Sequence, residues 1–98
     1  MQVYVKLKQT GKDTVLAVCD VELLGKTFQE GKIVFKVKDD FYNGGKTHVD
    51  DAISMIKNAN IVNLVGKYCV EKAIQNGYVH PDAVLTIEGV PHAQIVKF

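Results

Sequence analysis

The 98-residue sequence contains no arginine and only two cysteines. Both scarcities exclude something. All twelve basic residues are lysine, so the planar guanidinium fork that reads guanine edges and clamps phosphates at two points is missing. Sequence-specific readout of DNA is therefore not expected, while diffuse phosphate contact through lysine stays open. Cys19 and Cys69 form no close-spaced motif, which fits a reducing cytoplasm. No apolar run approaches the roughly 20 residues that cross a bilayer. The opening stretch MQVYVKLKQT alternates as a strand does and lacks a signal peptide's apolar block. A net charge of +1 gives no strong pull toward nucleic acid or membrane. The expected protein is soluble and cytoplasmic, with no membrane partner.

What is present is a core. Hydrophobic residues make up 47% of the chain, an ordinary share for a globular protein and enough for one domain over residues 1–98 without metal or disulfide staples. The longest apolar stretch is Asn60–Gly77, NIVNLVGKYCVEKAIQNG. Two structures fit it. In one, Asn60–Val65 is a buried strand and a helix runs from Lys67 to Asn76. In the other, a single helix starts at Asn60, with Ile61, Leu64, Val65, Tyr68, Cys69 and Lys72 at helical spacing. Gly66 weighs toward strand-then-helix, because glycine inside a helix costs about 1 kcal/mol relative to alanine. Both end the helix at Gly77.

Taken in order, Val3, Val5 and Leu7 alternate with Tyr4, Lys6 and Lys8, the mark of a strand with one buried face. A turn over Gln9–Asp13 leads to Thr14–Cys19, whose continuous apolarity suits a central strand. Asp20 is placed to cap a short turn ended by Gly25. Thr27–Gln29 and Lys32–Lys38 are read as two strands, followed by a loop over Asp39–Lys46. Thr47 and Asp50 resemble a capping box for a helix that lines up Val49, Ala52, Ile53 and Ile56. His80–Pro81 marks a turn, and Ala83–Ile87 and His92–Phe98 close the chain as strands. Strands on either side of a helical middle define the expected class: a two-layer α+β fold, mainly antiparallel, with about two helices on one face.

Four segments carry a resemblance: CDVELLGK (Cys19–Lys26), FYNGG (Phe41–Gly45), NLVGK (Asn63–Lys67) and GVPHAQ (Gly89–Gln94). Together they resemble landmarks of DUF424, a small archaeal family that carries a domain-of-unknown-function label. The resemblance covers nearly the whole chain and implies an archaeal, cytoplasmic α+β protein. It brings no reaction, cofactor or catalytic residue with it.

The residues themselves offer three kinds of chemistry. Gly-Lys occurs five times, twice followed by threonine, at Gly25–Lys26–Thr27 and Gly45–Lys46–Thr47. A P-loop needs a further glycine five positions earlier. Those positions hold Asp20 and Asp40, whose charge repels phosphate, so nucleotide hydrolysis is rejected. Cys19, Asp20 and His92 form the enzyme or metal-binding alternative, drawn together only if adjacent strand ends bring them close. Otherwise Cys19 is a small core hydrophobe and His92 a turn residue. No cofactor or regular metal motif is present, and Asp50 and Asp51 fit the first turn of a helix.

The third is a basic sheet face. If the first strand neighbours Lys32–Lys38, then Tyr4, Lys6, Lys8, Lys32, Lys36 and Lys38 share one surface. Lysines attract phosphates and a tyrosine can stack on a base, although RNA-binding sheets usually present two or three aromatics. The bland reading is a solvated face that resists edge-to-edge aggregation. The expected function is a small non-catalytic module that binds RNA or a ribonucleoprotein complex through this face. The rivals are the Cys19/Asp20/His92 enzyme or metal site and a protein–protein adaptor with an exposed apolar patch.

Overall fold

The alternation of the first residues builds β1 (Gln2–Thr10), which turns through Gly11–Lys12 into β2 (Asp13–Asp20). The computed structural model describes all residues, Met1–Phe98. Next come the hairpin β3 (Thr27–Glu30) and β4 (Ile33–Lys36), a one-turn helix α1 (Asp39–Tyr42) and a short strand β5 (Lys46–His48). Helix α2 (Val49–Ser54) runs into a tighter 3-10 turn, then β6 (Ile61–Val65) and α3 (Lys67–Gln75) follow. The chain closes with β7 (Leu85–Ile87) and β8 (Val90–Val96). The fold is α+β, as the distribution of strands and helices leads one to expect.

Six strands form one sheet in the order β5-β1-β2-β6-β8-β7, and β3-β4 forms a separate two-stranded ribbon. Every neighbouring pair is antiparallel except β2 with β6 at the centre. The parallel pair is held at its start by Asn60. Its side chain accepts from the Thr14 amide at 2.6 Å and donates to the Asp13 carboxylate at 2.8 Å.

Cross-strand register divides the sheet cleanly. On one face, Val3, Leu16, Val18, Val62, Leu64 and Ala93 pack under α2 and α3, with Val49, Ala52, Ile53 and Ile56 supplied from above. This is the larger core, and it uses the α2 stripe visible in the sequence. On the other face, Ala17, Cys19 and Val65 meet Leu23, Val37 and Tyr42, with Phe28 and Phe35 of the hairpin packed alongside. Because β2 contributes to both cores, Leu16, Ala17, Val18 and Cys19 are all buried.

Asn60–Gly77 resolves as strand-then-helix. Gly66 is the hinge, with φ +117° and ψ 152°, a region open essentially to glycine alone. A Cβ there would sit 2.8 Å from the Asp20 Cβ and closer still to its carboxylate carbon. Asp20 itself makes no side-chain cap to the 3-10 turn Val21–Leu23 that follows it, contrary to the sequence reading. Its carboxylate reaches a different helix. Two smaller corrections follow from local geometry. Asp39–Tyr42 is helical rather than loop, a single turn too short to show periodicity and pinned by the buried Tyr42. The N-cap of α2 is His48, whose Nδ1 accepts from the Asp50 amide at 3.1 Å, and not Thr47.

Replacing Gly66 by alanine is expected to lose about 1–3 kcal/mol from backbone strain alone, with the clash against Asp20 added to that. Urea denaturation measures it, and an unchanged midpoint would refute the role given to Gly66.

Candidate functional site

The row Tyr4–Cys19–Val65–His92–Leu85 runs in register across five strands on the hairpin side of the sheet. The hairpin and α1 cover the middle of this row. The next row, Lys6–Ala17–Asn63–Gln94, lies at the edge of that cover. Beyond it, Lys8–Val15–Ile61–Val96 lies further still along the sheet. One face therefore grades from core to open shelf.

Cys19 and His92 share a row but are not neighbours, since Val65 stands between them. Two strand spacings separate them, about 10 Å. Asp20 points to the opposite face, where Oδ2 accepts from the Tyr68 amide at 2.9 Å and Oδ1 from the Cys69 amide at 3.1 Å. These are amide donors of the first turn of α3, which Gly66 has no side chain to satisfy. The structure thus does not assemble Cys19, Asp20 and His92 into one site. Nor do three or more His, Cys, Asp or Glu side chains gather elsewhere as a metal cage.

Burial governs the titration of these groups. It pushes the Cys19 thiol up to about 12, with the Asp20 and Glu22 charges adding to the effect. Burial likewise holds the Cys69 thiol well above its ordinary value, and its Sγ lies 3.1 Å from the Val65 carbonyl. Neither is a thiolate at neutral pH, the form that nucleophilic or ligating cysteine needs. For Asp20, burial raises the carboxyl pKa while the Tyr68 and Cys69 amides pull it back down. Burial also lowers the pKa of His92, which is 8% exposed and sits edge-on to Phe35 with ring centroids 4.2 Å apart. Its Nε2 is buried without a hydrogen-bond partner.

The predicted basic face comes apart and partly reassembles. β1 pairs with β2 and β5, not with β4, so the six residues do not share one sheet surface. Tyr4 packs against the smaller core, with the Lys46 ammonium 5.5 Å from its ring centroid. Lys32 lies in the tight turn of the hairpin, between Glu30 and Ile33. The other four lysines converge through α1. Lys6 and Lys8 line a cleft with Val15, Ala17, Asp40 and Phe41. Lys36 and Lys38 line an adjoining cleft with the same Phe41. Phe41 is 41% exposed and meets Tyr42 edge-on at 5.0 Å. Asp39 and Asp40 offset part of this charge, and Lys6 donates to the Asp40 carbonyl.

Sequence reasoning missed Phe41 because it lay in a segment read as loop, inside the FYNGG landmark. Its placement depends on Gly44, whose amide donates to the Val5 carbonyl at 2.9 Å. A Cβ on Gly44 would stand 2.6 Å from that oxygen. Two adjacent glycines after an aromatic pair were the available signal.

The fold and this surface define a small α+β protein with one sheet face closed by helices and the other only partly covered. The chain belongs to the DUF424 family, described as a protein of unknown function, whose family model matches residues 8–98. It is similar to the crystal structure of an uncharacterized conserved protein from Methanopyrus kandleri, at 26% identity and a TM-score of 0.83. That similarity covers 100% of this chain and 95% of the other. No curated protein matches the chain. No helix is long and apolar enough to cross a membrane.

The lowered pKa of His92 has a definite consequence. The unfolded chain binds a proton near 6.5 while the folded chain resists it, so this residue contributes stability that fades as pH falls below 6.5. Asp20 acts oppositely, because its raised pKa favours the folded state at low pH and that gain fades as pH rises above 3.8. Comparing wild type with His92→Gln across pH 4.5 to 7.5 by urea denaturation isolates the histidine (an assay range of about three units). The stability difference is expected to vary with pH below 6.5, and a constant difference would contradict the buried neutral imidazole.

Proposed function

We propose that the protein is a small non-catalytic binding module for RNA or a ribonucleoprotein surface. The observation that supports this reading best is the exposed Phe41 ring flanked by two lysine pairs, Lys6 with Lys8 and Lys36 with Lys38. Lysine heads attract the phosphate backbone, and an aromatic face adjacent to them suits a base of any identity. Phe41 takes the stacking part first given to Tyr4, whose ring is occupied within the fold. With no arginine in the chain, shape and charge outweigh base identity in such an interface. A cytoplasmic setting belongs to the same reading, as does the absence of a role in sequence-specific DNA recognition.

The adaptor reading has one observation in its favour. Ile33, Val34 and Leu85 are large apolar side chains left about half exposed at the mouth of the hairpin groove or beside it. The lysines and Phe41 lie on the side of the hairpin toward α1, so the two readings call on separable residues.

Fluorescence-anisotropy titration with labelled RNA across a salt series tests the proposal. If the four lysines each meet a phosphate, log K is expected to fall against log salt with a slope of about −3. Replacing Lys6, Lys8, Lys36 and Lys38 by glutamate should abolish binding while leaving the thermal transition in place. Absence of binding at low salt would refute the proposal.

A further inference from the structure

We infer that the cleft between the hairpin and α1 accepts a single unpaired nucleobase, which makes the ligand single-stranded RNA rather than duplex. The inference rests on the RNA reading above and narrows it. The cleft has a volume of about 240 Å³ and is lined by Phe35, Lys36, Lys38, Phe41, Tyr42 and Asn63. Three aromatic rings, two ammonium groups and one amide meet there. Phe41 is the exposed ring, while Tyr42 is buried and edge-on to it.

Asn63 is the one polar residue of β6. It interrupts the apolar run of β6, between Val62 and Leu64, and lies half-buried on the sheet face under the hairpin. Its cross-strand partner on β8 is another amide, Gln94. The side-chain amides that bond within the chain belong to Gln9, Asn43, Asn60 and Asn76. Those of Asn63 and Gln94 do not. Neither polar atom of the Asn63 side chain is shut off from solvent, so its donor and acceptor stay open to whatever enters the cleft. They become useful if a ligand brings a donor and an acceptor side by side, as the edge of every nucleobase does.

The same cleft continues past Asn63 into a groove of about 350 Å³ lined by Gln94, Leu85, Ile87 and the ring of His92. The cleft therefore joins a polar edge-reading pair to an aromatic wall, with Lys36 and Lys38 positioned for the attached phosphate. A base inside a duplex has its pairing edge taken and its faces stacked, so it has no means of entry. An unpaired base at an end, loop or bulge has both free. Because an amide can turn to match any base edge, the site favours unpaired over paired bases without choosing strongly among the four.

The test uses the full chain and a labelled RNA strand of about 12 nucleotides, alone and annealed to its complement. Single strand is expected to bind about tenfold tighter than duplex, a margin within the range for stacking one base. Phe41→Ala should bring single-strand binding down to the duplex level and leave the fold intact, since Phe41 is a surface ring outside both cores. Asn63→Leu, which keeps the branching of the side chain and removes the amide, should reduce single-strand binding in the same way. A 2-aminopurine substituted into the strand should change its fluorescence on binding wild type but not Phe41→Ala. Equal affinity for single strand and duplex, insensitive to Phe41→Ala, would overturn this inference and leave standing only the lysine contacts of the RNA-binding proposal. Binding to neither would overturn both. Thermal melts of the two variants that match wild type within a few degrees confirm that affinity, not folding, is being read.

Discussion

The Asp20 carboxylate holds the N-terminus of α3, and much of the molecule depends on that contact. A helix begins with amide groups that have no partner of their own. Here the N-cap position is Gly66, which has no side chain to offer, and the carboxylate comes from the neighbouring parallel strand instead. The exchange works both ways. Glycine at 66 is needed because the carboxylate occupies the space where a Cβ would be, and the carboxylate is needed because glycine cannot cap. At 1% exposure the aspartate pays heavily in lost hydration, as its raised pKa shows, and the two amides return part of that cost. What the arrangement fixes is geometry: the chain leaves β6 sharply and lays α3 back across β2, β6 and β8.

That placement decides which face of the sheet is left for other work. With α2 and α3 both on one side, the other is covered only by a two-stranded hairpin and a single helical turn. The cover closes over Cys19, Val65 and His92 in the middle of the row from Tyr4 to Leu85 and gives out at the row containing Lys6, Asn63 and Gln94. The residues with reactive chemistry, Cys19, Cys69 and Asp20, are in the closed parts of the molecule, where burial keeps both thiols protonated. Residues with binding chemistry are at the boundary. The proposed recognition by charge, stacking and amide contacts draws on the residues at that boundary.

Local patterns in the sequence carried much of the fold. The β1–β2 hairpin and the α2 stripe are set by neighbours within one or two turns of chain and are read from spacing, while the break at Gly66 is read from glycine's poor fit inside a helix. The contacts that failed to show are long-range. Asp20 looks like the cap of the turn that follows it, yet its partners are Tyr68 and Cys69, on a strand-helix junction brought alongside by parallel pairing. No local pattern specifies that a strand will pair in parallel with one so distant. The lysines illustrate the same limit. Their sign and number were legible, but a sheet neighbour was assumed for β1 that the topology does not provide. Lys6 and Lys8 meet Lys36 and Lys38 only through α1, a turn of four residues with no periodicity to reveal it.

The most direct test of this account is the unfolding free energy of Asp20→Ala at neutral pH, measured by urea denaturation. The structure predicts a large loss, because two amides at the start of α3 lose their acceptor at about 1–3 kcal/mol for each one that stays buried. A wild-type midpoint would contradict it, and Asp20 would then have to be buried for a reason other than holding α3 in place.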